Sequence, residues 1–232
     1  MITYDTMLLR IESRPVGEFM EHLIYHITHI NNLAGIIKAR KLLSKNQMLK
    51  LDKITGYKNI DVSYDHIQNR RAHTMVPVGR GGTLHDYVPF YFCPRSPMLY
   101  ALKYPKPGQM KYMHGQREIL HLVAVAEDVT QHKDLYYVFT DRHAVKAYAS
   151  FYDDLKYLNA LKWNAIHAHY WSEGETRELK QAEFLVTPHF PWELIKFIGV
   201  IDKKIYKEVE KILNRFPNAN RPLIQVRREW YY

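Results

Sequence analysis

Apolar residues fall into short runs along the chain, and these runs predict β-strands separated by turns and helices. The runs are rich in β-branched and aromatic side chains, which is typical of strands. The predicted strands are residues 23–28, 87–93, 119–126, 136–140, 184–186, 197–201 and 223–226. Because run 119–126 is almost entirely apolar, we expect it to be a central strand that is buried on both faces.

Capping residues and helical periodicity predict the helices. Asn31 or Asn32 is expected to cap a short helix that carries Leu33, Ile36 and Ile37 on one face and ends near residue 41. The other predicted helical segments are 97–104, 203–213, and a mostly helical region that opens at 140 and includes 148–161, while 171–180 is predicted to be a loop. Strands and helices mix without a regular β-α-β repeat, so the predicted fold class is α+β with a mainly antiparallel sheet.

Two stretches lack a clear pattern. Residues 46–82 carry scattered basic side chains in polar sequence, and a long irregular segment inside a compact domain is usually a functional lid. A solvated insertion is the alternative for this stretch. Residues 1–22 are predicted to be an N-terminal extension with some strand character at 7–11, and residues 23–232 are predicted to form a single domain.

Composition and charge favour a polyanionic partner, although the charge alone also fits a membrane surface or a soluble basic protein. The 232-residue chain has a formal net charge of +9 and 18 tyrosines, whose rings suit stacking on bases as well as packing in a core. The single cysteine, Cys93, excludes an intrachain disulfide and indicates a reducing compartment. No signal peptide or membrane-spanning run is visible, so we expect a cytoplasmic protein that does not contact a membrane.

Glu183 is the first candidate for chemistry. It stands at the head of an apolar run, directly after a loop of charged and aromatic residues. Acidic side chains are rarely buried unless they are paired or used in catalysis, so this carboxylate is a candidate catalytic acid. The alternative is that Glu183 pairs with Lys180 or Arg177 at the end of a strand, or points to solvent.

Other motifs do not support a second kind of chemistry. His26 with His29, and His167 with His169, have the spacing of half a metal site, but no third ligand is evident, so no metal is expected. The glycines near residue 80 lack the lysine and the preceding strand of a phosphate loop. Cys93 lies inside an apolar run, which is typical of a core thiol.

Five short motifs resemble, in the same order, those of the ADP-ribosyltransferases, and most closely those of DarT, a family of DNA ADP-ribosyltransferase toxins. They are YHITH at 25–29, GGTLHDYVPFYF at 81–92, SPMLY at 96–100, FTDRH at 139–143 and QAEFLV at 181–186. The resemblance covers roughly residues 23–232, including the closing residues 230–232. It implies an ADP-ribosyltransferase-like fold in which the sheet is split around a cleft for NAD and flanked by helices.

The resemblance also implies which residues bind NAD, the co-substrate. Backbone groups of the first strand suit the nicotinamide amide, and an imidazole suits a ribose hydroxyl. The implied NAD-binding residues are His26, Ile27, Thr28, Gly35, Leu43, Arg70 and Tyr91.

For catalysis, the resemblance implies a role for Glu183 and for an arginine in the lid. Glu183 would orient the nicotinamide ribose through its 2′-hydroxyl and stabilise an oxocarbenium-like state. The arginine is one of the pair Arg70 and Arg71, and we favour Arg70. A guanidinium does not readily lose its proton, so we expect this arginine to bind the pyrophosphate and polarise the base rather than accept a proton.

The acceptor implied by the resemblance is a base in single-stranded DNA. A ring nitrogen attacks only when its base is unpaired, so single-stranded or flipped DNA is expected. Arg177 and Trp171, in the loop before Glu183, are candidates for phosphate and base contacts, and Met98 is another candidate for a base contact. The resemblance favours thymidine over guanosine.

The family resemblance further implies a toxin that arrests replication and a partner antitoxin whose macrodomain removes the modification. The alternatives are ADP-ribosylation of guanosine, RNA or protein, and an inactive module that binds single-stranded nucleic acid. A ribonuclease that uses His167 and His169 without NAD is a further alternative.

Overall fold

The computed structural model describes residues 21–56, 59–108 and 110–232, and within these ranges ten strands form one large and one small sheet. The large sheet has the order β10-β9-β4-β1-β3-β7-β5-β6, and β2 pairs with β8. The strands are β1 (Leu23–His29), β2 (Lys41–Leu43), β3 (Val88–Tyr91), β4 (Ile119–Val125), β5 (Tyr136–Thr140), β6 (Phe151–Tyr152), β7 (Glu183–Thr187), β8 (His189–Pro191), β9 (Phe197–Val200) and β10 (Leu223–Val226).

Eight α-helices within the described ranges pack around the sheet or cover its cleft. They are α1 (Leu33–Ala39), α2 (Lys45–Thr55), α3 (Asp65–His73), α4 (Pro97–Lys103), α5 (Ala126–Thr130), α6 (Trp163–Ile166), α7 (Thr176–Leu179) and α8 (Lys203–Asn214). Helix α4 begins as the sequence predicts, with the Ser96 hydroxyl accepting from the Leu99 N–H and proline in the first turn. Helix α8 buries residues spaced four apart, Ile205, Val209 and Leu213, against the sheet.

The large sheet is antiparallel except at one edge, where β9 and β10 run parallel. Each strand predicted from an apolar run is present, and β4 is buried along its whole length as expected for a central strand. The prediction of an α+β fold with a mainly antiparallel sheet is therefore confirmed.

The large sheet is split between its two middle strands, β1 and β3, and a proline lies at the split. β1 pairs with β4 along its full length, from Leu23 to His29, but pairs with β3 only where Tyr25 faces Tyr91. Pro89 in β3 has no N–H to donate to a neighbouring strand, and its carbonyl oxygen accepts instead from Nδ1 of His26 at 2.8 Å. β1 and β3 separate beyond this pair, and the split that the resemblance implied lies here.

The predicted lid, residues 46–82, is more regular than the sequence indicated. It contains nearly all of α2 and the whole of α3, and its described residues between the two helices and after His73 are irregular. Helix α2 starts with a capping box between Ser44 and Gln47, yet it buries none of its side chains. Helix α3 buries only Arg71. Neither helix has an apolar stripe, so hydrophobic periodicity could not reveal them.

Three smaller predictions need correction. Asn32 occupies the N-cap position of α1 as predicted, but its side chain does not cap the helix, because its amide group bonds Thr28 and the backbone of Ile60. The region 140–161 is not mostly helical, since it holds strand β6 and a 3-10 helix at Leu155–Ala160. The loop predicted at 171–180 contains the short helix α7.

The predicted strand at 7–11, and with it residues 1–20 of the N-terminal extension, lies outside the described residues. None of the helices in the described ranges combines the length and the hydropathy that crossing a bilayer requires.

Candidate active site

A cleft of about 1330 Å³ opens where β1 and β3 separate, and the lid helices α2 and α3 line one side of it. Pockets for a single small ligand usually measure roughly 300–1,000 Å³, so this cleft has room for a dinucleotide and a base together. Every residue predicted from the sequence to bind or to react lines the cleft, with the exception of Arg70. These residues are His26, Ile27, Thr28, Gly35, Leu43, Arg71, Tyr91, Met98, Trp171, Arg177 and Glu183.

Glu183 is buried at the start of β7, where the register sets it opposite Tyr91 of β3. Arg71 donates from Nη1 to Oε2 of the carboxylate at 2.7 Å. Nδ1 of His143 and the backbone N–H of Ala144 lie 3.0 and 3.1 Å from Oε1. The carboxylate is therefore held from two sides, by the lid and by the segment that follows β5.

The pKa of Glu183 follows from these contacts. Burial by itself raises the pKa of a carboxyl group, but the charge of Arg71 and the hydrogen bond from His143 outweigh burial and lower the pKa of Glu183 to about 2. The side chain is thus ionised at neutral pH. The partners considered from the sequence are not the ones observed, because Lys180 donates to the carbonyl of Ile166 and the ion pair of Glu183 is with Arg71.

Unused hydrogen-bonding capacity remains beside this ion pair. A carboxylate accepts about four hydrogen bonds, and Glu183 receives two on Oε1 and one on Oε2 from the described residues. Nη2 of Arg71 is buried and has no partner among the described residues. Oε2 of Glu183 can therefore accept one more hydrogen bond, and Nη2 of Arg71, which belongs to a side chain in direct contact with it, can donate one. A sugar hydroxyl can satisfy both atoms, because it donates and accepts. The residues thus fit NAD as a substrate.

The two arginines of the lid have different surroundings. Arg71 is 7 % exposed and contacts Glu183, whereas Arg70 is exposed and donates from Nη2 to the carbonyl oxygen of Val145 at 2.8 Å. The sequence favoured Arg70, but the structure places Arg71 against the carboxylate and leaves Arg70 outside the cleft. The two differ because consecutive helix positions point about 100° apart.

His26 is held in one tautomer. The Pro89 carbonyl only accepts, so Nδ1 of His26 carries the proton, and burial lowers the pKa of the ring so that it stays neutral. Nε2 is then an acceptor, which suits a ribose hydroxyl. Tyr91 also stays neutral, because burial and the nearby charge of Glu183 raise its pKa, and its hydroxyl donates to the sulfur of Met98 at 3.7 Å.

A group of aromatic side chains forms another part of the cleft lining, which we call the aromatic wing and define as Tyr100, Tyr104, Trp171 and Tyr232. The ring of Tyr100 lies 5.0–5.3 Å from each of the other three rings. The guanidinium of Arg95 stands 4.4 Å above the ring of Tyr232. Tyr100 and Tyr104 are exposed and line the cleft.

Five lysine and arginine side chains that line the cleft have no carboxylate partner among the described residues. They are Lys38, Lys41, Arg95, Lys106 and Arg177. Exposed aromatic rings interleaved with unpaired cations are typical of surfaces that bind single-stranded nucleic acid.

His143 and the aromatic wing contain functional candidates that the sequence did not single out. His143 lies in the motif at 139–143, but its contact with Glu183 joins residues 40 positions apart and is invisible in the sequence. Tyr232 lies in the closing aromatic residues 230–232, which belonged to the resemblance without a role. Tyr100 closes the SPMLY motif in the same way.

Metal and thiol chemistry find no support in the described ranges. No group of three or more His, Cys, Asp or Glu side chains there is arranged to hold an ion. His29 contacts Glu118, and His167 stacks on Trp163. Cys93 is buried in the core, and burial raises the pKa of its thiol.

Comparison with known proteins agrees with this geometry. A family model described as DarT, ssDNA thymidine ADP-ribosyltransferase, matches residues 25–232. A curated DNA ADP-ribosyl transferase from Thermus aquaticus is 52% identical over 210 residues, which cover 90% of this chain and 89% of the relative. One from Escherichia coli is 31% identical over 214 residues, which cover 90% of this chain and 93% of the relative.

Solved structures agree as well. Thermus sp. 2.9 DarT in complex with ADP-ribosylated single-stranded DNA matches with a TM-score of 0.83 and 50% identity, covering 91% of this chain and 96% of that one. The same protein in complex with NAD+ matches with a TM-score of 0.80 and 46% identity, covering 95% and 100% of the two chains.

The split sheet, the buried glutamate and these relatives define an NAD-dependent DNA ADP-ribosyltransferase. The chain belongs to the DarT family.

The depressed pKa of Glu183 predicts how stability depends on pH. Its pKa falls on folding from an ordinary 4.5 to about 2, so the ionised side chain contributes roughly 3 kcal/mol above pH 4.5, and this contribution is lost as the pH falls toward 2. We expect Glu183→Gln to be less stable than the parent by about that amount at pH 7, and the difference to shrink in acid. Urea denaturation of the parent and of Glu183→Gln at pH 7, 4.5 and 3 measures this difference in the free energy of unfolding.

The matched control is Glu173→Gln, which changes the same charge at an exposed position without an ion pair in the described residues. Its stability should follow that of the parent at each pH. A Glu183→Gln difference that does not vary with pH would contradict the assignment of the low pKa to this carboxylate.

Proposed function

We propose that this protein transfers ADP-ribose from NAD to thymidine in single-stranded DNA, in a sequence-selective manner. The observation that carries the proposal is the ionised, buried Glu183 beside the unsatisfied guanidinium of Arg71 in a cleft wide enough for two substrates. Membership of the DarT family supports both the NAD donor and the thymidine acceptor.

We propose that NAD is bound mainly by residues of the first strand, β1, together with Glu183. Nε2 of His26 accepts a hydrogen bond from a ribose hydroxyl, and the backbone of Ile27 and Thr28, beyond the point where β1 leaves β3, binds the nicotinamide amide. Tyr91, Gly35 and Leu43 continue the pocket.

At the reaction centre, the negative charge of Glu183 lies beside the sugar on which positive charge develops. Glu183 accepts from the 2′-hydroxyl of the nicotinamide ribose and stabilises the positive charge that grows on the sugar as the bond to nicotinamide weakens. Since the carboxylate is already ionised and oriented by its protein donors, it does not reorganise during the reaction. Arg71 orients Glu183 and contributes its remaining donor to the substrate.

On the acceptor side, the unpaired cations and the aromatic wing hold the strand. Arg177 contacts a phosphate, Trp171 and Tyr100 stack on bases, and Met98 packs against the acceptor base near Tyr91. The acceptor must be unpaired for its ring nitrogen to reach the sugar.

In the cell, we propose the role of a toxin in a toxin–antitoxin pair. An ADP-ribose on a template base obstructs the polymerase, so replication stops, and the expected partner is an antitoxin whose macrodomain removes the modification. The single, buried Cys93 is compatible with action in the cytoplasm, where the DNA substrate would be.

The central experiment incubates a mixture of single-stranded oligonucleotides with NAD and reads the products by intact mass and fragmentation. We expect a gain of one ADP-ribose on thymidine, and a loss of at least about a hundredfold in rate for Glu183→Gln, because the charge that stabilises the transition state is gone. Glu173→Gln should keep the parental rate.

Other outcomes separate the alternatives. A product on guanosine, on RNA or on protein would replace thymidine as the acceptor while keeping the enzyme class. Binding of DNA without any use of NAD would indicate an inactive binding module.

The two lid arginines give a matched pair of variants. We expect Arg71→Ala to lower the rate of transfer by about a hundredfold or more, because it removes both the orienting partner of Glu183 and a donor to the substrate. Arg70→Ala should stay within about tenfold of the parent, since its contact is to a backbone carbonyl outside the cleft. Initial rates on one oligonucleotide measure both, and the reverse order of effects would return the catalytic role to Arg70.

From the aromatic wing we predict that a substitution there weakens the binding of DNA and leaves the binding of NAD unchanged. Tyr100→Ala should raise the KM for the oligonucleotide by about tenfold, as expected for one lost base stack, and leave the KM for NAD within about twofold. Tyr157→Ala is the matched control, because Tyr157 is 43% exposed against 42% for Tyr100 and lies away from the cleft. Equal effects of the two variants on the oligonucleotide KM would rule out a specific role for the wing.

A further inference from the structure

Helix α8 lies outside the cleft, and its exposed side carries basic side chains and one asparagine. Ile205, Val209 and Leu213 are buried against the sheet, and none of the residues 203–215 lines the cleft. Successive residues of a helix point about 100° apart, which fixes the positions that lie opposite this buried row. These positions hold Lys203, Lys204, Lys207, Lys211, Asn214 and Arg215, and all six are exposed.

The acidic residues of α8 do not neutralise this side of the helix. Glu208 and Glu210 are partly buried at its two borders, and the first turn contains no acidic residue. Asp202, at the N-cap, pairs with Arg117 instead. The lysines and the arginine on the exposed side have no carboxylate partner among the described residues.

A further cation from another segment joins them. Arg221, in the loop before β10, donates from Nη2 to Oδ1 of Asn214 at 2.9 Å. The neutral residue of the exposed side therefore holds an additional positive charge beside the helix. We call this group of exposed cations the basic face and define it as Lys203, Lys204, Lys207, Lys211, Arg215 and Arg221.

The basic face is unfavourable for the stability of the free protein. Lys203, Lys207 and Lys211 follow one another at i, i+4 spacing, where like charges destabilise a helix. Lys203 and Lys204 also lie at the positive end of the helix dipole. A solvated helix surface usually alternates charges of both signs, and a bound polyanion would offset the repulsion. The pattern thus favours a polyanionic partner.

The side chains of the exposed side also narrow the class of partner. Protein interfaces are depleted in lysine and need aromatic or apolar anchors, and the exposed side of α8 has none. Surfaces for single-stranded nucleic acid interleave cations with rings that stack on bases, as the aromatic wing does. Duplex DNA offers no unstacked base, but its backbone carries about one negative charge per 1.7 Å of helix axis. Lysines spaced about 6 Å apart along a rigid helix suit such a partner.

We propose that the basic face binds the phosphate backbone of duplex DNA without regard to its sequence. Ammonium groups act on phosphates as point charges and read no base. The cleft takes the single-stranded target, while the basic face holds duplex DNA of the same molecule. The protein is thereby kept close to single-stranded segments that interrupt a duplex.

Two triple variants separate the basic face from positive charge in general. Each replaces three exposed lysines outside the cleft by glutamine, whose helix propensity is close to that of lysine, so the two variants have equal net charge. The face variant combines Lys203→Gln, Lys207→Gln and Lys211→Gln. The control variant takes its lysines from three separate segments and combines Lys133→Gln, Lys156→Gln and Lys162→Gln.

The first measurement is the binding of a fluorescent blunt-ended duplex at several salt concentrations. We expect the face variant to bind it about tenfold more weakly than the parent at low salt, and the slope of log Kd against log salt concentration to fall by about 1 for each lysine that contacts a phosphate. The control variant should keep the parental affinity. The urea midpoint of the face variant should equal or exceed that of the parent, because like charges have been removed.

The second measurement is the KM for transfer to a single-stranded target, either alone or joined to a duplex arm. For the parent, we expect the duplex arm to lower the KM by about tenfold, because the arm adds a second contact to the same DNA molecule. The face variant should lose this gain and keep the parental KM for the target alone. An arm of the same length without its complementary strand tests single-stranded DNA as the partner.

Several results would overturn the proposal. Equal losses in the face and control variants would show that net charge matters and not this face. Equal affinity of the parent and the face variant for the duplex would leave an acidic protein as the partner. An equal gain from the single-stranded arm would replace duplex by single-stranded DNA. Failure of the proposed function is a different result, because the parent would then modify no target while duplex binding can still be measured.

Discussion

The ion pair between Arg71 and Glu183 joins the lid to the central sheet across 112 positions of sequence. Helix α3 buries no other side chain, so this guanidinium is its main anchor in the protein interior. Removing one partner of a buried pair leaves a charge without compensation and typically costs about 3–5 kcal/mol. The same ion pair therefore holds the lid in place and keeps the carboxylate of Glu183 ionised. The cleft thus forms through the contact that also sets the charge of its central carboxylate.

The segment after β5 supplies the other half of the arrangement. The hydroxyl of Thr140 accepts from the backbone N–H of Glu183, and His143 and Ala144 reach the carboxylate itself. Two residues of the motif at 139–143, Thr140 and His143, therefore hydrogen-bond Glu183 directly. These contacts give a buried carboxylate and its backbone N–H the partners that buried polar groups require.

The sequence predicts a structural feature well when neighbouring residues determine it, and poorly when it depends on contacts between residues far apart in the chain. The strands and α8 could be predicted because apolar runs and periodic positions report burial directly. Glu183 stood out because an acid at the head of an apolar run is unusual. Helices α2 and α3 could not be found, since neither carries an apolar stripe. To choose between Arg70 and Arg71 one must know which face of α3 points toward the cleft, and no feature of the sequence shows this.

The place of the opening has a wider consequence. It lies between two strands of the central sheet and beside Pro89, which has no N–H to donate, so the framework that faces the cleft on this side belongs to the sheet and not to the lid. The aromatic wing lies on separate elements, with Tyr100 in α4 and Trp171 in the loop before α7. If the wing binds DNA as proposed, substitutions in it can alter which DNA motif is preferred while the glutamate and its partners stay unchanged. On that proposal, target preference and the reaction can change independently in evolution.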